Sequence, residues 1–293
     1  MGLPHPDKIH HVVGDPEMKM LSSFRVIAIA SLLFGGLNAV SVNAQDANRS
    51  YTPLVGQEGK DVVWVPTAQA LVDKMLDMAK VTTKDYLVDL GSGDGRTVIT
   101  AAKRGIKSLG IEYNPDLVSL SRKNAETEKV GELAKFTEGD IFLSDFSTAT
   151  VVTMFLLPDL NIRLRPTLLR MAPGTRLVSN SFHMGDWSPD QTVEAGDGSC
   201  TNYCKAFLWI VPAQADGEWK LPKGKLNLKQ QYQMISGELT LNGTTHAITE
   251  GRLDGELISI SYAGGSLGGR VTPTGIEFTR VSGSAPTGLV AVR

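Results

Sequence analysis

The sequence predicts an open α/β layer followed by a small antiparallel all-β region, and three observations carry that prediction. Between residues 61 and 212, short apolar runs alternate with stretches of helical apolar spacing. Within them, the run Tyr86-Leu87-Val88-Asp89-Leu90 falls directly into three alternating glycines, Gly91, Gly93 and Gly95. From Pro212 onward the helical spacing stops. Short alternating runs there are separated by Asn242-Gly243, Asp254-Gly255 and Gly264-Gly265, which are strong hairpin punctuation.

Taken in order, residues 62–65 read as an extended run ended by Pro66, with Thr67 capping a helix on which Leu71, Met75 and Met78 share a face. Residues 87–90 are the first clear strand, and 96–104 the helix after the glycines. Residues 108–112 form the next strand. Asn114-Pro115-Asp116 then starts a helix with a capping side chain, a proline where no amide hydrogen is missed, and an acid at the positive end of the dipole. Strands follow at 135–137 and 150–156, the second apolar throughout, as a parallel strand buried on both faces should be. Residues 159–171 carry helical spacing, with Pro166 expected to kink or divide the helix. Strands at 176–180 and 206–211 complete the layer. Strands separated by helices imply a parallel sheet. About six antiparallel strands, in a small sheet or barrel, are expected over residues 213–293.

The chain has 293 residues and a formal net charge of −2, so no basic excess suggests nucleic acid and no acidic block suggests a charged tail. Lys19 and Arg25 precede an apolar run at 26–37, and Val42-Asn43-Ala44 supplies the small residues that signal peptidase reads. Residues 1–44 are therefore expected to be an N-terminal extension and secretory signal cut before Gln45, with translation starting at Met18 or Met20. The mature chain would then be exported, most plainly to a periplasm, with no membrane span. An uncleaved membrane anchor is the alternative, for which the run is short of the usual span of about 20 residues. Residues 45–60 read as a linker. Cys200 and Cys204 are the only cysteines. In an oxidising compartment they are placed for a disulfide closing a small loop, contributing on the order of 2 kcal/mol. A zinc site would want two more ligands, and His183 alone lies near in sequence, so no metal is expected.

Glycines between a strand and a helix let the backbone turn tightly and let a ligand approach the free amides of the helix N-terminus. A dinucleotide fingerprint would space them GxGxxG, whereas this chain has Gly91-x-Gly93-x-Gly95 after Asp89. Such a turn seats no pyrophosphate and suits a zwitterionic amino-acid tail, with Asp89 accepting from the ammonium. S-adenosylmethionine carries that tail. Glu112, at the end of the next strand, is placed to take both ribose hydroxyls, and Asp140 in Glu138-Gly139-Asp140-Ile141-Phe142 to meet the adenine amino group. Thr67, Ser92 and Asp94 belong to the same expected pocket. Arg96 either pairs with Asp89 or Asp94 or lies on the surface. A turn used only for packing is the bland alternative.

These residues resemble those of class I methyltransferases, which share a Rossmann-like open sheet. The resemblance is closer to the group containing the protein-lysine methyltransferases that act on the c-ring protein of mitochondrial ATP synthase and on the adenine nucleotide carrier, with their bacterial relatives. It rests on VPT (65–67), VDLGSGDGR (88–96), GIEYNPDLVSLSR (110–122), VVTMFLLP (151–158) and WSPD (187–190), and covers roughly residues 61–212. It implies a lysine methyl acceptor, with S-adenosylmethionine held by Asp89, Gly91, Gly93, Glu112 and Asp140. Eukaryotic members lack an obvious counterpart of the β region and are not secreted.

Methyl transfer from a sulfonium is an in-line displacement, so the protein chiefly holds acceptor and methyl in near-attack geometry. Base-methylating enzymes often carry Asn or Asp before Pro-Pro and an aromatic at the end of the fourth strand. Here the residues are Phe155-Leu156-Leu157-Pro158, which argues against an exocyclic base. Phe155 and Leu157 are either the wall of an acceptor channel or ordinary core. His183 and Asp186 are the titratable candidates in the segment after the fifth strand, and Trp187 could stack on a cationic acceptor. Against those roles, His183 would be solvated and Trp187 would pack its loop. The acceptor is thus expected to be a protein lysine, with a small-molecule or lipid-linked acceptor, or an exported module that only binds the nucleoside, as alternatives.

Overall fold

The computed structural model describes residues 51–293 apart from 197, 199 and 284–287; the expected signal sequence lies outside the described residues. The chain runs α1 (Gln69–Met78), β1 (Tyr86–Leu90), α2 (Arg96–Lys103), β2 (Lys107–Glu112), α3 (Pro115–Thr127), β3 (Ala134–Glu138), β4 (Val151–Met154), α4 (Pro158–Leu168), β5 (Arg176–Asn180), β6 (Gln191–Glu194) and β7 (Lys205–Ile210). Then follow β8 (Gly217–Leu221), β9 (Gly224–Gln231), β10 (Met234–Leu241), β11 (Thr244–Asp254), β12 (Leu257–Tyr262), β13 (Gly265–Thr272), β14 (Gly275–Gly283) and β15 (Val290–Ala291).

The first sheet has the order β3-β2-β1-β4-β5-β7-β6. Its first five strands are parallel, and β7 runs antiparallel to both β5 and β6. Alternate side chains leave opposite faces of a strand. Accordingly Val88 and Leu90 of β1 join Val152 and Met154 of β4 in a core shared with Leu164 and Leu168 of α4. Leu87 and Val151 instead face Leu71, Val72 and Met75 of α1. All four residues of β4 are buried, as its unbroken apolar sequence requires. At the start of α3, the Asn114 side chain accepts from the amides of Asp116 and Leu117, with Pro115 next to it in the first turn.

Three local expectations are corrected. Residues 62–65 form no strand, because Trp64 exchanges backbone hydrogen bonds with Gly56 and Gln57 and so closes a local loop instead of joining a sheet. Thr67 does not cap α1, whose N-cap is Ala68 without a side-chain bond; the Thr67 hydroxyl accepts from Asn180 Nδ2 at 3.1 Å. Pro166 leaves α4 undivided. It falls in the last turn, where little helix remains to be disrupted.

The β region is larger than expected. Eight strands form one meander in the order β15-β14-β13-β12-β11-β10-β9-β8. The two ends meet, since Lys220 N donates to Val292 O at 2.6 Å and Val292 N donates back to Lys220 O at 3.0 Å. This single bridge joins the first and last strands, so the sheet curls into a barrel. Its interior is filled by Trp219, Leu226, Leu239, Ile258, Leu267 and Phe278 among others, so it is a core and not a channel.

The turn between β9 and β10 is inserted into the first sheet's periphery. Trp187 is fully buried and donates its indole N–H to Gln233 Oε1 at 2.8 Å, while Gln233 Nε2 donates to Ser188 O at 2.8 Å. The Trp187 ring stacks on Tyr232 with centroids 5.5 Å apart, and Arg252 pairs with Asp190. Asp190 also accepts from the Ile210 amide at 2.7 Å, tying the contact to β7.

Candidate active site

A cavity of about 530 Å³ opens over the carboxyl ends of β1, β2 and β4, a size suited to a cofactor with part of a second substrate. Its lining includes Thr67, Asp89, Gly91, Ser92, Gly93, Asp94, Glu112 and Asp140, so nearly every residue expected at the cofactor meets in one place. Gly95 lies just behind, as the N-cap of α2.

The glycine turn has the backbone that its sequence suggested. Gly91, Gly93 and Gly95 have φ of 76°, 55° and 84°, in the left-handed region that other residues seldom enter. Space is as restrictive as torsion: a Cβ on Gly93 would sit 2.6 Å from the Trp64 indole nitrogen, and one on Gly95 would sit 2.8 Å from the Phe136 ring. The N-cap glycine offers no side-chain acceptor to the first turn of α2, whose first amide, Arg96 N, donates instead to Asp94 Oδ1 at 3.3 Å.

Asp89 is buried at the end of β1 and accepts from Thr153 Oγ1 at 2.6 Å. Burial is the main cause that pushes its carboxyl up from 3.8 to about 7; the Thr153 hydroxyl opposes this, and the charges of Glu112 and Asp94 add to it. Glu112 spans the next gap, with Oε2 accepting from Gly93 N at 2.9 Å and Oε1 from Asn114 N at 3.0 Å. Each oxygen keeps a second acceptor direction for a ribose hydroxyl. The buried Ser92 hydroxyl has no protein partner. A bare turn, an orphaned hydroxyl and a carboxyl left near 7 fit a ligand bearing hydroxyls and an ammonium group.

Asp140 is engaged by the protein itself. Lys60 Nζ lies 2.5 Å from Asp140 Oδ2 and 4.8 Å from the Tyr113 ring centroid, and the Phe142 amide donates to Asp140 Oδ1. That hydrogen bond to Lys60 is the chief cause holding the Asp140 carboxyl below its ordinary value. The loop around residues 57–67 therefore crosses the cavity as a strap. Arg96 pairs with Asp94 at 2.5 Å and donates to Thr67 O at 2.8 Å, fastening the strap to α2. It does not pair with Asp89.

Beyond the expected methyl position the lining turns apolar and aromatic. Phe155, Leu157, Phe182 and Tyr203 all border the cavity. The Phe155 ring centroid lies 6.1 Å from that of Phe182 and 5.2 Å from that of Tyr203, and the last two are 5.9 Å apart. Of the candidates for the acceptor side, Phe155 and Leu157 line the cavity, and Trp187, His183 and Asp186 do not. Trp187 is enclosed by Tyr232, Trp209 and Gln233, because its indole N–H is satisfied only in that interface. His183 is exposed outside the cavity, its ring 3.9 Å from the Phe207 ring. Asp186 holds Arg165 and Tyr232. Sequence reasoning missed Lys60, Trp64, Phe182 and Tyr203. For Tyr203 a signal existed, its place inside the Cys200–Cys204 loop; for the strap residues, only their closeness to the Val65-Pro66-Thr67 motif.

Cys200 and Cys204 are joined in a disulfide. Among the described residues no group of three or more His, Cys, Asp or Glu side chains is disposed to hold a metal, and no helix is long and apolar enough to cross a membrane.

Residues 89–191, which contain the glycine turn and all three acids, match the ANTKMT methyltransferase domain. The chain is 39% identical over 153 residues to a protein-lysine N-methyltransferase of Saccharolobus islandicus, covering 51% of this chain and 94% of that one. It is 34% identical to the adenine nucleotide translocase lysine N-methyltransferase of Mus musculus, over 38% of this chain and 49% of that one. A crystal structure of an RNA methyltransferase from Salinibacter ruber, in complex with S-adenosyl-L-homocysteine, is similar with 46% identity and a TM-score of 0.48, over 52% of this chain and 96% of that one. With the match falling on the cavity's own residues, the protein is an S-adenosylmethionine-dependent methyltransferase. More narrowly, the chain belongs to the protein-lysine N-methyltransferase family of the archaeal protein, whose length it covers almost completely.

Proposed function

We propose that the protein methylates the side-chain amine of a lysine in a protein acceptor. In this reading the strand order of the first sheet is a Rossmann-like class I arrangement spanning residues 61–212, and residues 213–293 form an accessory barrel. The observation that carries the acceptor assignment is the aromatic and aliphatic lining next to the acidic cofactor end of the same cavity. A lysine stem suits it; a nucleobase edge would want amide or carboxylate partners there, and Phe155 and Leu157 offer none.

Bound S-adenosylmethionine supplies an electrophilic methyl on a sulfonium. The chain's own residues do the rest. Asp89 would accept from the ammonium of the amino-acid tail, and the glycine turn before α2 would seat its carboxylate. Glu112 takes the ribose hydroxyls, and Asp140 faces the adenine end beside Lys60. Thr67, Ser92 and Asp94 line the same cavity and would border that ligand. The Gln57–Thr67 strap and the aromatic wall both line the cavity. A lysine amine has an ordinary pKa near 10.4, so it must lose its proton before attack, which an apolar wall favours by desolvation.

We also propose that the mature chain is exported, with residues 18–44 as its signal. The disulfide supports this, since such bridges persist in oxidising compartments. Cell fractionation with N-terminal sequencing tests it, and a full-length cytoplasmic chain would overturn it. For the activity, purified protein is incubated with methyl-labelled S-adenosylmethionine and separate protein, lipid and RNA fractions of the envelope and cytosol. Label recovered as methyl-lysine supports the reading. Label confined to RNA, lipid or a small molecule refutes it.

A further inference from the structure

We propose that Tyr203, held against Phe155 and Phe182 by the Cys200–Cys204 bridge, is a specificity-determining residue that forms the outer wall of the subsite for the aliphatic stem of a primary alkylamine. This rests on reading the cavity as a cofactor and acceptor site.

Three ring centroids within 5.2–6.1 Å of one another place the rings in direct contact, so they make a continuous apolar surface. The rings come from three separate segments: Phe155 follows β4, Phe182 follows β5, and Tyr203 precedes β7. They converge on the cavity that Asp89 and Glu112 also line. The wall bears no carboxylate or amide, and aromatic faces tolerate an amine at the end of an alkyl stem. Tyr203 keeps 47% of its surface exposed, and Leu157 keeps 46%, at the mouth where a stem would enter.

Tyr203 is the ring with least support from regular structure, and two observations show how it is held. Its φ is 57°, a conformation that a bulky residue enters only where its surroundings impose it. The disulfide joins residues only four apart, with Cα atoms 5.6 Å from each other, and Tyr203 lies inside that small ring. Cys200 and Cys204 are thus positioning residues. Reduction by a dithiol breaks their S–S bond; each sulfur gains one electron and one proton and becomes a thiol, and the dithiol, giving up two of each, becomes a disulfide. The loop is then free to leave φ > 0, and the wall loses its outer ring.

The probes are S-adenosylhomocysteine and a bisubstrate analogue in which nitrogen replaces its sulfur and carries an aminobutyl arm. Calorimetry on the full mature protein should show that wild type prefers the armed compound by about tenfold, the worth of roughly two methylenes removed from water. Tyr203→Ala, the double variant Cys200→Ser/Cys204→Ser and dithiothreitol-treated wild type should lose that preference and keep wild-type affinity for S-adenosylhomocysteine; Tyr203→Phe should keep both. Unchanged affinity for the armless compound also shows that a variant is folded. A preference absent in wild type, or surviving in Tyr203→Ala, overturns the proposal. Survival only under reduction and in the double serine variant overturns the part given to the bridge. If wild type holds neither compound, the cofactor reading fails first and takes this subsite with it.

Discussion

Replacing Asp89 by asparagine separates what this carboxyl costs the ligand-free fold from what it does for a ligand. Its ordinary value is 3.8 and its buried value about 7. Between these values the folded chain holds a proton that the unfolded chain has released, so the stability associated with that proton is complete below 3.8 and is lost as pH rises toward 7. The interval between 3.8 and about 7, at 1.36 kcal/mol per pH unit, sets the loss at about 4 kcal/mol above pH 7. Asparagine has nearly the same shape and keeps an oxygen for the Thr153 hydroxyl, without the charge. Urea unfolding without ligand should therefore find the variant more stable than wild type by up to about 4 kcal/mol at pH 8 and by about 1 kcal/mol at pH 4.5, with the two nearly equal only below 3.8. Ligand binding should behave in the opposite way. An ammonium beside Asp89 restores its charge, so wild-type affinity for S-adenosylhomocysteine should rise roughly tenfold per pH unit from 5 to 7 and then level off. The variant should show no such slope and bind more weakly at pH 8. Equal stabilities at pH 8 would refute the raised value of the buried carboxyl, and equal slopes in both proteins would refute the assignment of Asp89 to the amino-acid tail.

Gly93→Ala should push the Trp64 strap off the cavity, because the new Cβ meets the indole nitrogen at 2.6 Å and φ is 55°; a loss of about 1–2 kcal/mol in stability, with weaker S-adenosylhomocysteine binding, is expected from urea unfolding and calorimetry. Lys60→Ala removes the strap's grip on Asp140, and stopped-flow measurements should show faster release of S-adenosylhomocysteine. Gln233→Leu leaves the buried Trp187 indole N–H without its partner, which should destabilise the chain by about 1–3 kcal/mol in urea and leave the dissociation constant for S-adenosylhomocysteine unchanged.

Trp187 shows why some of this architecture is legible in the sequence and some is not. The glycine turn, the Asn114 cap and the acids at the strand ends are each specified within a few residues by torsion, capping or strand periodicity, and the structure brings them together because parallel strands align their carboxyl ends. A tryptophan carries no such local instruction. Its ring can stack on a cation or fill an interface, and the choice depends on Gln233, a residue 46 positions away in a turn that local sequence marks only as a turn. The same holds for barrel closure, where Lys220 finds Val292 across the whole meander, and for Tyr203, whose ring reaches Phe155 only after two sheet strands are in place. The Trp-Ser-Pro-Asp segment that marks the resemblance therefore has a structural role here: Trp187 seats the β9–β10 turn, and Asp190 joins the β7 backbone to Arg252. A segment inside the matched residues 89–191 is thus joined, in this chain, to the β region. The acceptor wall proposed above is built instead from Phe155, Phe182 and Tyr203, in a cavity that no barrel residue lines.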